Sequence, residues 1–86
     1  MTYAPAIERI RAIKSRYEKD LLKRANVVGV GIGFKYKDGQ PTNEIALVIN
    51  VSDKKPVAEL AAQDIVPAEI EGIPVDVQEV GQVRAF

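Results

Sequence analysis

The chain has 86 residues, of which 47% are apolar and 28% are charged, and its formal net charge is zero. This length and composition are typical of one globular domain and exclude a disordered chain. The chain contains no histidine and no cysteine, which excludes histidine acid–base catalysis, Ser-His and Cys-His nucleophile pairs, disulfides and thiolate metal sites. No cofactor or metal is predicted, and we expect the protein not to be an enzyme.

The apolar segments are short. No run approaches the roughly 20 apolar residues of a membrane span, and residues 1–14 lack the uninterrupted apolar core of a signal peptide. We therefore expect a cytoplasmic protein without a membrane partner.

Charge is distributed unevenly along the chain. Residues 1–37 carry nine Lys/Arg and three Asp/Glu, a net charge of +6, whereas residues 38–86 carry three and nine, a net charge of −6. This division is compatible with a basic binding face, with attraction between the two halves or between copies, and with two solvated faces.

The first predicted element is an amphipathic helix that begins near Pro5 and runs for about five turns. Thr2 is a candidate N-cap, and Asn26 is expected to stop the helix. Apolar residues recur at spacings of three and four, namely Ile7, Ile10, Ile13, Tyr17 and Leu21. The opposite face is basic and includes Arg9, Lys14, Arg16 and Lys23.

The next stretch, NVVGVGIGFKYK, alternates strictly and predicts a strand from Val27 to Lys37. One face carries Val28, Val30, Ile32, Phe34 and Tyr36. The other carries Gly29, Gly31 and Gly33, followed by Lys35. Glycine in a strand costs backbone entropy and packs nothing, so we expect another element or a partner chain to lie close over this face. Gly29, Gly31, Gly33 and Lys35 are therefore the candidate interaction residues.

The remaining elements are shorter. Asp38-Gly39 predicts a hairpin turn into a second strand, Glu44 to Val51, which is apolar on both faces. A break from Ser52 to Pro56 follows, and Pro56 is expected to open a short helix from Val57 to Ala62. An extended segment and a turn at Glu71-Gly72 precede a last strand from Ile73 to Val80, whose Pro74 is typical of an edge or a bulge.

Together these elements predict a single α+β domain over residues 1–86. The long helix covers one face of a small three-stranded sheet in a two-layer sandwich. A right-handed crossover through the short helix gives the strand order 2-1-3, which puts the glycine-bearing strand in the centre.

The same succession of segments resembles a known family. A basic helix, then NVVGVGIGFKYKDGQPT, EIALVINVSDKKP and finally IEGIPVDV, is similar to an N-terminal accessory region found ahead of trypsin-like peptidase domains in bacterial and archaeal proteins. The resemblance covers about residues 13–83. It implies a standalone accessory domain without catalytic residues, which binds, assembles, or acts on a separate peptidase as an inhibitor or folding chaperone.

Two other patterns lack the spacing of a known site. The run Gly29-x-Gly31-x-Gly33 lies inside a strand, whereas a phosphate-binding loop turns from a strand into a helix. The later carboxylates are not spaced as in a calcium loop; they are Asp64, Glu69, Glu71, Asp76 and Glu79. If the face that carries Asp76 is buried, we expect this carboxylate to accept hydrogen bonds, or a salt bridge from Lys or Arg.

The leading prediction is a non-catalytic module that associates with itself as a homodimer or larger assembly. The first alternative is an inhibitor or chaperone of a trypsin-like peptidase. The second is nucleic-acid binding through Arg9, Lys14, Arg16 and Lys23, although the basic helix has no aromatic platforms beside it and no helix-turn-helix spacing follows it.

Overall fold

The computed structural model describes residues 3–54 and 57–80 of the chain. The predicted N-cap Thr2, the Lys55-Pro56 break and the residues from Gly81 to Phe86 lie outside this part. In chain order the elements are α1 (Ala4–Leu22), β1 (Val27–Lys37), β2 (Gln40–Val51), two 3-10 turns (Val57–Glu59 and Ala62–Asp64), β3 (Glu69–Ile70) and β4 (Ile73–Glu79).

The helix forms where the apolar spacing predicts it. Pro5 lies in the first turn of α1, where its missing N–H leaves no hydrogen bond unmade. The buried side chains Ile10, Ile13 and Leu21 face the sheet. The helix ends at Leu22, and Asn26 adopts a φ of 69°, a left-handed conformation that asparagine tolerates. The chain is thereby redirected into β1.

A tight hairpin joins β1 to β2. Asp38 and Gly39 both have positive φ, 52° and 77°, as a two-residue turn between right-twisted strands requires. The strands pair antiparallel, with Val30 opposite Ile49 and Ile32 opposite Leu47. The bounds predicted for β1 are confirmed, whereas β2 begins four residues earlier than expected, at Gln40.

Within the described residues the sheet has four strands in the order β1-β2-β4-β3, so the predicted three-stranded order 2-1-3 is wrong. β4 pairs in parallel with β2, from Leu47 opposite Val75 to Val51 opposite Glu79, and does not pair with β1. The glycine-bearing strand is consequently an edge strand. The physical reason is that β2 is apolar on both faces, whereas one face of β1 carries glycines. Placing β2 in the centre therefore removes more apolar surface from water than placing β1 there would.

The segment between β2 and β4 also differs from its prediction. Two 3-10 turns replace the short helix expected from Val57 to Ala62. The extended segment and the turn after it are confirmed, because β3 pairs with the start of β4 through a turn in which Glu71 and Gly72 have φ of 49° and 81°. Pro74 lies one residue before the ladder with β2 begins at Val75, so its missing N–H costs that ladder nothing.

The core lies between α1 and one face of the sheet, as the two-layer prediction requires. The sheet contributes Leu47, Ile49, Val51, Ile73 and Val75, which pack with Ile10, Ile13 and Leu21 of the helix. Leu47 and Ile49 are fully buried. The coarse prediction of an α+β domain with one N-terminal helix on a sheet is therefore confirmed.

We expect Leu47→Ala to lower the free energy of unfolding by about 2–5 kcal/mol, because the truncation leaves a cavity at the centre of the core. Urea denaturation followed by circular dichroism measures the change. Leu22→Ala is the matched control, since Leu22 is 43% exposed, and it should change stability by less than about 1 kcal/mol. Equal losses in the two variants would contradict this account of the core.

Candidate interaction surface

The sheet face that α1 leaves uncovered carries a groove of about 350 Å³. Its lining includes Gly31, Gly33, Val48, Asn50 and Gln78, together with Tyr36 and Pro41 near the hairpin turn. The groove therefore includes two of the glycines that the sequence singled out.

The three glycines of β1 have different surroundings. A Cβ built on Gly33 would lie 3.4 Å from Cγ2 of Val48, and one on Gly29 would lie 3.4 Å from Nδ2 of Asn50. A Cβ on Gly31 would meet no atom within 4 Å. Side chains of β2 thus lean over two glycines, and Gly31 opens into the groove. In the described part of the chain no separate helix or strand covers this face, so of the two expected covers the partner chain stays a prediction.

Two side chains of β4 reach the backbone of β1 across the groove. Oδ2 of Asp76 accepts the backbone N–H of Tyr36 at 2.9 Å, and Nε2 of Gln78 donates to the carbonyl of Phe34 at 3.4 Å and to Asp76 at 2.9 Å. Because β2 separates β1 from β4, these contacts require the sheet to curl toward the glycine face. Ala46, on the intervening stretch of β2, is fully buried.

The hydrogen bonds predicted for Asp76 are therefore present. Their donors are a backbone N–H and the Gln78 amide rather than the Lys or Arg that the sequence suggested. The local pattern could not have identified Tyr36, which lies 40 residues away along the chain, whereas Gln78 is only two residues from Asp76 on the same strand.

Two hydrogen bonds, one on β2 and one on β1, indicate which backbone groups of β1 point away from the rest of the sheet. The carbonyl of Val51 accepts the N–H of Val80 at 2.8 Å and so points toward β4. Because backbone direction alternates along a strand, Val48 and Asn50 direct theirs toward their β1 partners, Gly31 and Gly29.

The same alternation continues along β1. The carbonyl of Lys35 accepts from Oγ1 of Thr42 in β2 at 2.7 Å, so Lys35 belongs with the glycines, whose backbone groups face β2. The backbone groups of Val30, Ile32, Phe34 and Tyr36 then form the outer edge of β1. Among the residues that the structure describes, no strand pairs with this edge.

Large apolar side chains are concentrated on the same strand. Val28, Phe34 and Tyr36 are 44%, 41% and 48% exposed, and they are three of the five exposed large apolar residues in the described chain. Phe34 also contacts the ring of Tyr3 edge-on, with 5.5 Å between the centroids. Register irregularities at Val27/Gly29 and Phe34/Tyr36 interrupt the strict pairing alternation that the sequence suggested.

Several of the basic residues singled out by the sequence have carboxylate partners. Nζ of Lys35 lies 3.9 Å from Oε1 of Glu44. On α1, Lys14 is 3.1 Å from Glu18, and Arg16 is 2.6 Å from Glu71. Two of the four residues proposed for nucleic-acid binding are thus engaged within the chain.

The contact of Arg16 with Glu71 belongs to a cluster that joins α1 to the β3–β4 turn. The Glu71 carboxylate accepts from the Tyr17 hydroxyl at 2.8 Å as well as from Arg16. Both contacts lower the pKa of Glu71, and the hydrogen bond from Tyr17 has the larger effect. The same hydrogen bond raises the pKa of Tyr17. The cluster links the basic and acidic halves of the chain within one domain.

A smaller apolar pocket of about 130 Å³ lies where α1 gives way to β1 and where β2 ends. Its apolar lining includes Val27, Val51 and Val77. Asp64 also lines it, and Oδ1 of this residue accepts the backbone N–H of Ala25 at 2.9 Å. The polar residues Asn26, Asp53 and Lys54 also line this pocket.

No group of three or more acidic residues in residues 3–54 and 57–80 is arranged to hold a metal ion. Across the same described ranges, no helix combines the length and the apolar character needed to cross a membrane.

We expect acid to weaken the contact between α1 and the β3–β4 turn. A carboxyl whose pKa is lowered in the folded state stabilises that state above its unfolded pKa, near 4.5, and the stabilisation disappears as the pH falls through the folded pKa. Glu71→Gln should therefore lose less stability than the wild type between pH 6 and pH 2, by urea denaturation at each pH. Glu59→Gln, an exposed control, should follow the wild type; identical curves for all three would contradict the assignment.

The open space above Gly31 predicts tolerance of a side chain. Gly31→Ala should leave the fold intact and leave the free energy of unfolding unchanged or raised by up to about 1 kcal/mol, because alanine reduces the entropy of the unfolded chain. Gly39→Ala is the contrasting control, since its φ of 77° disfavours a side chain, and it should be destabilising by about 1–2 kcal/mol. Thermal and urea unfolding compare the two, and a strongly destabilised Gly31→Ala would show that the groove is filled.

Comparison with known families corrects one expectation. Residues 4–80 match the model of the NARROW LEAF 1 N-terminal domain, whereas no curated protein matches the chain. The predicted membership in an accessory region ahead of trypsin-like peptidases is therefore wrong. The inhibitor and chaperone alternatives depended on that resemblance alone and lose their support with it. The match spans nearly the whole chain and includes α1 and all four strands, so the chain belongs to the NARROW LEAF 1 N-terminal domain family.

Proposed function

We propose that the protein is a non-catalytic interaction module that associates with itself through the outer edge of β1. The observation that carries this proposal is an edge strand of eleven residues, Val27–Lys37, with which no other described strand pairs on its outer side. Edge strands present free N–H and C=O groups and are templates for pairing with another chain. The glycines of this strand carry no side chain that could project beside the edge, so a second strand can approach it closely.

The composition of β1 favours a second copy as the partner. The stretch from Val27 to Phe34 has no charged residue, and the strand's two charges, Lys35 and Lys37, both lie at its end. The exposed side chains Val28, Phe34 and Tyr36 would be removed from water by pairing. In a two-fold homodimer the β1 edge of one chain pairs with the β1 edge of the other, so no β1 edge is left to bind a third chain.

The other function classes have less support in the described residues. The groove has the amides of Asn50 and Gln78 but no pair of titratable groups arranged for acid–base chemistry. Arg9, Lys14 and Arg16 lie on α1 and Lys23 is its C-cap, and two of these four residues already bind carboxylates. The cytoplasmic location expected from the sequence stays a prediction.

Size-exclusion chromatography with light scattering, over a dilution series at low and high salt, tests self-association. We expect a dimer at micromolar concentration that persists at high salt, because β1 pairing buries mainly backbone and apolar groups and is little screened. Val28→Lys should weaken the dimer at least tenfold, since a charge on an edge strand opposes pairing. Leu22→Lys is the matched control, because Leu22 on α1 is 43% exposed and Val28 is 44% exposed.

Each result decides between physical accounts. A dimer lost at high salt would attribute association to the oppositely charged halves and contradict the edge proposal. A monomer at every concentration would contradict self-association altogether. Equal weakening by the two lysine substitutions would show that the effect is not located on β1.

A further inference from the structure

The side chains of Asp76 and Gln78 contact β1 as a neighbouring strand would. A strand added to the outer edge would offer a carbonyl to the N–H of Tyr36 and an N–H to the carbonyl of Phe34. Asp76 offers a carboxylate oxygen to that N–H at 2.9 Å, and Gln78 offers an amide N–H to that carbonyl at 3.4 Å. These two side chains therefore occupy one N–H and one carbonyl of the outer edge, in the half nearest the hairpin turn.

We infer that the outer edge of β1 binds the β1 strand of a second copy, antiparallel and centred on Ile32, and that Asp76 and Gln78 cap this edge in the monomer. This inference rests on the proposed function and assigns the partner strand, its direction and its register. Pairing over the whole strand displaces the two side chains from Phe34 and Tyr36.

The length of the strand and its charges select this register. Ile32 is the middle residue of Val27–Lys37, so among antiparallel arrangements only pairing about Ile32 aligns all eleven residues with a residue of the second copy. Val28 then lies opposite Tyr36 of the second copy, and Val30 lies opposite Phe34, which pairs the exposed apolar side chains with one another.

The same register separates the positive charges. Lys35 falls opposite Gly29 of the second copy, and Lys37 falls opposite Val27. A parallel in-register arrangement would instead place each lysine beside the same lysine of the second copy, and like charges on adjacent strands are destabilising. Charge and apolar pairing thus favour one arrangement of the two chains.

Cysteine pairs test the register, because the natural chain has no cysteine. Val28→Cys and Tyr36→Cys, both at exposed positions, are mixed and oxidised under mild conditions, and the products are resolved by mass spectrometry. We expect a 28-to-36 disulfide between copies in the mixture. Either variant alone should give little dimer, because its two cysteines lie eight residues apart along the paired strands, about 26 Å at 3.3 Å per residue.

The cap is tested by the double variant Asp76→Ala, Gln78→Ala in the same dilution series. We expect its dimer dissociation constant to fall at least tenfold, since the edge no longer has to be uncovered. Glu59→Ala, an exposed carboxylate outside the sheet, is the control and should leave that constant unchanged. Circular dichroism verifies that each variant folds, and the disulfide test stands by itself if the double variant does not.

The outcomes separate this inference from the proposed function. A wild-type dimer that gives no 28-to-36 disulfide would overturn the register and leave self-association standing. A folded double variant whose dimer is no tighter than that of the wild type would overturn the cap. A wild-type chain that stays monomeric while the double variant dimerises would support the cap and overturn spontaneous self-association, and monomers in both would overturn both proposals.

Discussion

The structure depends on one strand that is buried on both faces. In β2 the consecutive residues Ala46, Leu47, Val48 and Ile49 are all at most 7% exposed. Leu47 and Ile49 pack under α1, and full burial of a side chain of this size contributes about 1.5–3 kcal/mol. Such a strand is stable only with a neighbour on each side, and β1 and β4 take those places. The position of every other element follows from this constraint.

The opposite face of β2 is buried by a different route. No second helix in the described chain packs there, and Ala46 and Val48 are instead enclosed by the curl of the sheet and by the side chains that bridge β4 to β1. Glycines suit this arrangement because Val48 and Asn50 come within 3.4 Å of where the Cβ atoms of Gly33 and Gly29 would lie. The glycine face is therefore a concave surface that side chains of β2 and β4 partly cover, and a groove remains above Gly31.

This arrangement explains why the two edges of the sheet differ. β3 is a two-residue strand, and an edge this short offers few backbone groups with which another chain could pair. β1 is long, and its charges lie only at one end. Side chains that imitate a neighbouring strand are one means of protecting such an edge, and here they come from β4. The backbone groups of β1 that would pair with a second copy thus include the groups that the side chains of β4 cover in the monomer.

The charges of the chain act mainly within it. Arg16 and Tyr17 of the basic half hold Glu71 of the acidic half, so part of the asymmetry along the sequence is complementarity inside one domain. The contact is exposed, and an exposed ion pair contributes little to stability by itself. Its structural effect is to orient the β3–β4 turn against α1.

The sequence by itself determined the local elements. Apolar spacing identified α1, alternation identified β1 and β4, and Asn26, Asp38-Gly39 and Glu71-Gly72 turn the chain because their conformations are local properties of those residues. The apolar character of both faces of β2 was also visible. Only the tertiary structure decided that β2 is central, that β4 pairs with it rather than with β1, and that Asp76 reaches Tyr36, because pairing order and long-range contacts depend on the total surface buried by the whole chain. The candidate site divides in the same way: Gly29, Gly31, Gly33 and Lys35 were visible as a pattern, whereas the free edge beside them and its cap exist only once the sheet has curled.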